Sequence, residues 1–380
     1  MKKILFTIIM CMTLNFNANA MENLAPNSKS AILLETSTGK VLFENNSDEK
    51  LAPASMTKIM SMLLIMEKID KEKISFEDDV KISQNAADMG GSQIFLEAGE
   101  TYKVKDLLKG IAVASGNDAV VAMAEYTAGS VDEFVKMMND KAKQLGLKNT
   151  VFKNPHGLDT EGHYSTARDM ATIALELLKH ERILEFTSIY EDYLKKNDGS
   201  STWLVNTNKL VRFYDGVDGL KTGFTSTAKY CVTTTAKKKN MRLLSVVMGV
   251  DTSDLRSKDT TNMLNYGFNN YKIEMVMPKD KILGNVKVLK GKDNNVNLVL
   301  LKDSTILKKI NEKEEDYTVK IKIKEVEAPV KKGQVVGKAE IVDKEGKIIS
   351  EEDVTVTKDI KKADFFDYVK KNYKTITMGI

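Results

Sequence analysis

Apolar and polar positions change their period several times along the chain. Short apolar runs at 31–35 and 41–44 flank Thr36-Ser37-Thr38-Gly39-Lys40, which predicts two strands joined by a hairpin turn. Residues 59–66 are apolar almost all the way round, so the helix they predict has no face to give to water and belongs at the centre of a domain. A polar stretch over 70–100, with Gly90-Gly91 inside it, leads to a second apolar helix over 104–114. That helix ends at Ser115-Gly116-Asn117-Asp118 and helical character resumes over 119–128, so the triplet occupies a tight break between helices. An amphipathic helix over 134–145, a turn-rich loop over 154–159 and a helix over 167–178 capped by Ser165 or Thr166 follow. Residues 230–236 alternate like a strand, 237–240 turn, and 243–249 return as a buried strand, with Lys221-Thr222-Gly223 on or beside this sheet. From 279 the pattern becomes short alternating runs, at 284–290, 296–301, 317–326, 335–342 and 354–357, which predict a small all-β module.

Both ends carry a different signal. Lys2 and Lys3, an apolar run over 4–14 and Ala18-Asn19-Ala20 have the order of an export signal over 1–20. The apolar run is too short for a permanent span, and bulky Met10 before Cys11 argues against a lipoprotein signal. Cleavage near Met21 would leave Cys231 as the one thiol, hence no internal disulfide. At the far end, Ile360, Phe366, Val369, Tyr373 and Ile376 recur at helical spacings, with Phe365 flanking and Lys361, Lys362, Lys370, Lys371 and Lys374 opposite. That is the pattern of a helix lying in a membrane interface, over 358–380. Composition adds less. A length of 380 residues suggests two domains, and 57 basic against 53 acidic residues gives no charge for a nucleic-acid partner. His156, His163 and His180 lack metal-ligand spacing, so neither a metal nor a cofactor is expected.

Ser-x-x-Lys occurs four times, at Ser37/Lys40, Ser47/Lys50, Ser55/Lys58 and Ser226/Lys229. Only Ser55 opens an apolar helix, where a residue and its i+3 neighbour share a side. A serine beside a lysine there is a candidate activated nucleophile. Ser115-Gly116-Asn117 taken alone reads as a helix-capping turn. Lys221-Thr222 is not a phosphate-binding loop, because Leu220 rather than Gly precedes it and strands rather than a helix follow.

Together the three motifs, in this order and spaced roughly sixty and one hundred residues apart, form the set used by β-lactamases and penicillin-binding proteins. The sequence resembles the serine D-alanyl-D-alanine carboxypeptidases, the low-molecular-mass penicillin-binding proteins, from about residue 28 to the C-terminus. Asn154-Pro155-His156-Gly157-Leu158, His163-Tyr164-Ser165-Thr166-Ala167 and Ala328-Pro329-Val330-Lys331-Lys332-Gly333 share in the likeness. Phe224 stands where these enzymes often have His. The resemblance implies an α/β (α+β) fold: a β-lactamase/transpeptidase-like domain over 21–278, its mostly antiparallel sheet packed between helices, then a small all-β domain over 279–357. It implies an acyl-enzyme on Ser55 that releases the terminal D-alanine of peptidoglycan stem pentapeptides, with β-lactams as covalent inhibitors. Lys58 would be the base, which requires its pKa to fall from about 10.4; burial and the Lys221 cation both act in that direction. Ser115 would relay the proton, Asn117 hold peptide amides, Lys221 and Thr222 take the terminal carboxylate, and Gly223 permit close approach. The backbone N–H groups of Ser55 and Phe224 would form the oxyanion hole. The enzyme is expected on the outer face of the cytoplasmic membrane, attached through its tail. The alternatives are a β-lactamase, with Glu161 as its candidate deacylating carboxylate, and a non-catalytic β-lactam- or peptidoglycan-binding sensor.

Overall fold

A computed structural model describes residues 23–312 and 316–378 of the protein. The export-signal segment over 1–20 lies outside them. Strands β1 (Ser30–Glu35), β2 (Val41–Asn45), β3 (Val217–Thr225), β4 (Lys229–Lys238) and β5 (Met241–Val250) form one antiparallel sheet in the spatial order β2-β1-β5-β4-β3. Alternation along the strands buries both faces. Ile32, Leu34, Leu244 and Val246 point to one core, while Ala31, Leu33, Leu243 and Val247 point to another.

The first core is closed by α1 (Lys58–Asp70), α2 (Val104–Val113), α3 (Asn117–Ala128), α4 (Val131–Gln144) and α5 (Ala167–Leu178). Every residue of α1 from Lys58 to Met66 is buried, against α3, α4 and α5, as its all-round apolar sequence requires. Each buried Leu, Ile or Met there contributes about 1.5–3 kcal/mol. Helix starts follow from local side chains: Ser130 Oγ accepts from Glu133 N at 3.2 Å, and Thr166 Oγ1, rather than Ser165, accepts from Asp169 N at 3.0 Å. The second core is closed by α6 (Ser253–Asn270), whose Met263 and Leu264 meet the sheet.

Several elements have no counterpart in the periodicity. The 70–100 stretch holds a turn of helix at Gln84–Ala87 and a strand, Asp79–Lys81, that pairs with Thr101–Lys103 just beyond it. Strands Glu191–Lys195 and Ser201–Val205 form a separate hairpin. Helix α6 buries Arg256, Asp259 and Thr260 among its few apolar residues, so its inner face does not read as hydrophobic.

Beyond α6, Tyr271–Met277 pairs with Ser304–Lys309. A six-stranded sheet follows, in the spatial order Thr318–Ile323, Val335–Val342, Ile348–Val356, Asn295–Leu300, Gly284–Leu289 and Val326–Glu327. Its core gathers Val288, Val296, Leu298, Val354, Val356 and Ile360. Helix α7 (Phe365–Met378) leaves this module with Phe365, Phe366, Val369, Tyr373 and Ile376 exposed. Among the described residues no helix is long and apolar enough to cross a membrane.

Candidate active site

Ser55 sits in a 3-10 turn, Ala54–Thr57, that runs directly into α1. The turn is pinned from the 154–158 loop. Gly157 has φ +89°, and a Cβ on it would lie 1.8 Å from the Ala54 carbonyl oxygen, so only glycine fits. Asn154 Oδ1 accepts the Gly157 N–H at 2.6 Å, and Ser61 Oγ donates to the Pro155 carbonyl at 2.7 Å. His163 Nδ1 accepts the Lys153 N–H at 3.2 Å, which leaves Nε2–H to donate to Thr57 Oγ1 at 2.9 Å. Burial lowers His163 to about 4 and His156 to about 3, the latter with help from the Lys58 charge, so both imidazoles are neutral.

One turn further on, Lys58 is fully buried. Its Nζ donates to Ser55 Oγ at 3.1 Å, to Asn117 Oδ1 at 2.7 Å and to the His156 carbonyl at 2.9 Å. None of these partners is an anion. Burial first, and the Lys221 charge second, hold the Lys58 amine well below its ordinary range against the opposing pull of Asp118. The amine is therefore a hydrogen-bond neighbour of the serine and able to lose its proton, as a general base must be.

The α2–α3 break supplies the second wall. Ser115 holds φ +63°, a left-handed conformation that costs a non-glycine residue energy, and its buried Oγ has no hydrogen-bond partner. Asn117 Nδ2 donates to the Gly90 carbonyl at 2.6 Å, and its backbone N–H donates to the Ser92 carbonyl at 2.7 Å. Next to it, the buried Asp118 carboxylate accepts backbone N–H bonds from Ile94 (3.0 Å), Leu96 (3.1 Å) and Ala119 (2.8 Å). It thereby fastens the 90–96 loop to the start of α3.

Strand β3 is the third wall, and it lies at the sheet edge, where an extended peptide can add. A Cβ on Gly223 would lie 2.7 Å from the Pro53 carbonyl oxygen and 3.1 Å from Ser55 N, so glycine lets the strand run against the Ser55 turn. Lys221 is buried, donates to the Thr222 carbonyl at 3.1 Å, and is lowered to about 7 by burial and by the Arg256 charge. Thr222 Oγ1 donates to Thr207 Oγ1 at 2.6 Å. Phe224 is exposed and packs on Tyr230 with ring centroids 4.4 Å apart.

The motif residues Ser55, Lys58, Ser115, Asn117, Lys221, Thr222 and Gly223 thus come from three separate elements that meet around one turn. Glu161 is exposed and lines a hollow together with Pro53, Ala54, Gly157 and Asp159. Ser37 bonds to Glu35 and Ser47 to Glu44, each within its own turn. Sequence reasoning missed Asp118, Thr207 and Arg256. An acid following Ser-Gly-Asn reads as an ordinary first-turn residue, and nothing in the polar sequence of α6 marks Arg256 as buried. Among the described residues no group of His, Cys, Asp or Glu is arranged to hold a metal ion.

Comparison with known proteins gives concordant findings. Residues 17–252 match the family model described as D-alanyl-D-alanine carboxypeptidase, peptidase S11, and residues 271–362 match the penicillin-binding protein 5 C-terminal domain. The chain is 51% identical to D-alanyl-D-alanine carboxypeptidase DacF of Bacillus subtilis, covering 100% of this chain and 98% of that protein. It is 35% identical to DacA of Escherichia coli K12, over 90% of this chain and 87% of that one. Among solved structures, penicillin binding protein 5 of Haemophilus influenzae superposes with a TM-score of 0.71 at 33% identity, covering 88% of this chain and 98% of that one.

Proposed function

The chain belongs to the peptidase S11 family of serine D-alanyl-D-alanine carboxypeptidases, and from that premise we propose that Ser55 is its nucleophile and Lys58 the base. The observation that carries this is the fully buried Lys58 amine, held low in pKa and 3.1 Å from Ser55 Oγ. Lys58 takes the hydroxyl proton as Oγ bonds to the carbonyl carbon between the two terminal D-alanines. The developing oxyanion is received by the N–H groups of Ser55 and Phe224, a reading supported by the close approach of β3 to Ser55 N. The C–N bond then breaks, the leaving amine takes a proton through Ser115, and D-alanine departs. Water then attacks the ester carbonyl, giving a proton to Lys58; the C–Oγ bond breaks as Oγ takes that proton back, and the shortened peptide leaves with a new carboxyl group, freeing Ser55. The unpartnered Ser115 hydroxyl supports the relay, since it has a lone pair and a proton to offer. Lys221 and Thr222 receive the substrate carboxylate, and Arg256, whose charge acts on Lys221, reinforces that end. Asn117 holds Lys58 in the free enzyme and turns to substrate amides on binding.

The catalytic unit spans 21–278 and the β-domain 279–357, with residues 1–20 an export signal. Ile360, which the sequence pattern counts with the tail, is instead buried in the β-domain core, so the attaching segment is helix α7, from Phe365 on, which holds the enzyme to the outer face of the membrane, where peptidoglycan is met. The exposed apolar side chains of α7 support attachment by lying on the surface rather than by crossing it. The test is mass spectrometry of products from a D-Ala-D-Ala pentapeptide, alone and with an amine acceptor. Loss of a single alanine is expected in both. An untouched pentapeptide, or only the acceptor adduct, would overturn the carboxypeptidase reading.

A further inference from the structure

We propose that the outer face of the Glu191–Lys195/Ser201–Val205 hairpin is a docking shelf for sugar rings of a peptidoglycan glycan strand. The proposal rests on the reading that the Ser55 site processes peptidoglycan. Tyr193 and Trp203 are register partners, so their side chains stand next to each other on one face, and they are 60% and 59% exposed. The hairpin does not need them for its own packing. Leu194 and Leu204 on the opposite face are buried, and Asp192 there receives Lys109 Nζ at 2.9 Å.

The shelf is fixed to the site at both ends. At its tip, Lys196 Nζ donates to the Phe95 carbonyl at 2.6 Å, in the loop fastened by Asp118. At its base, the Asn206 side chain donates to the carbonyls of Thr187 (3.1 Å) and Ile189 (2.8 Å). Trp203, Val205 and Thr207 share a parity, and Thr207 touches Thr222 of the site. At about 3.3 Å per residue the aromatic pair begins roughly 13 Å from Thr207. Thr222 is at the carboxylate-binding end, so the shelf lies on the leaving-group side. It therefore grips a neighbouring strand rather than the sugar that bears the bound peptide.

The chemistry selects the occupant. Two flat rings between Lys195, Ser201 and Glu191 offer apolar faces with a hydrogen-bonding rim, which matches a sugar ring with C–H faces and polar edges. The charges around the shelf are of both signs, with Glu191 and Asp198 against Lys195, Lys196 and Arg212, which lies 3.8 Å from Glu191, unlike the cationic rim of a helix that seeks anionic lipid.

Trp203 is the only tryptophan of the chain, so its emission reports on the shelf directly. Titration of the full-length protein with chitotetraose, an N-acetylglucosamine oligomer, should shift the emission to the blue and saturate. Tyr193→Ser keeps the reporter and should weaken that binding roughly tenfold, which corresponds to about 1.4 kcal/mol for one ring contact. The same variant should hydrolyse soluble pentapeptide like the wild type but act more slowly on isolated peptidoglycan. Emission that ignores the oligosaccharide while penicillin still acylates the protein overturns the shelf, as does a shift with anionic vesicles instead. Failure of the wild type on soluble pentapeptide would count against the catalytic reading alone, because the titration does not depend on turnover.

Discussion

Replacing Asp118 by Asn changes one oxygen to an NH2 group and removes a charge, with almost no change of volume. In either amide orientation the NH2 faces at least one backbone N–H that the carboxylate now accepts, at Ala119 or at Ile94 and Leu96. Each charge-assisted bond of this kind is worth about 1.5–3 kcal/mol. Burial already raises the Asp118 pKa, so relief from a desolvated charge returns part of the loss. The net expectation is about 2 kcal/mol, read as a lower urea midpoint at unchanged slope. The kinetic effect has its own sign. Asp118 is the group that raises the Lys58 pKa, so its removal lowers that pKa further. The limb of the penicillin acylation rate that reports Lys58 deprotonation should move to lower pH, while the rate itself falls as the 90–96 loop loosens. Stability within about 0.5 kcal/mol of wild type, or a limb that stays put or moves to higher pH, would refute this account of Asp118.

Two further outcomes are expected. The folded pKa values of His156 and His163, about 3 and about 4, lie below the ordinary 6.5. The unfolded chain therefore binds more protons below pH 6.5, and stability should fall from there towards pH 4 by up to about 1.4 kcal/mol per pH unit for each imidazole; flat stability over that window in urea titrations would contradict neutral, buried rings. Truncation after Asp364, which removes α7 and keeps Ile360 in the β-domain core, should leave a soluble, penicillin-binding enzyme. The longer chain should sediment with anionic vesicles, more weakly at high salt, and equal partitioning of the two forms would exclude the anchor.

The residues gathered at the candidate site were legible because the chemistry proposed for them restricts residue type. Ser55 stood out from three other Ser-x-x-Lys serines only because an apolar run follows it, and that run is α1, buried from Lys58 to Met66. The same logic fails where a buried face is polar. Helix α6 turns Arg256, Asp259 and Thr260 inward, so no apolar period marks it. Asp118 looks like any acid in a first helical turn until the backbone of Ile94 and Leu96 is seen to converge on it. The 191–205 hairpin was within reach: Asn197-Asp198-Gly199 is a turn signal between two runs, but each run is only five residues long and has a single buried position, Leu194 or Leu204, too few to show the alternation. Gly157 and Gly223 carry information only in three dimensions, where each meets the Ser55 turn from a different element.

The central claim, that a lowered-pKa Lys58 activates Ser55, is tested most directly by penicillin labelling of wild type and Lys58→Arg with peptide mapping of the adduct. Arginine keeps the charge but has no accessible free base. The account expects label on Ser55 and on none of Ser37, Ser47 or Ser226 in the wild type, and loss of labelling in a folded Lys58→Arg protein. Acylation of Lys58→Arg near the wild-type rate, or label on another serine, would contradict it.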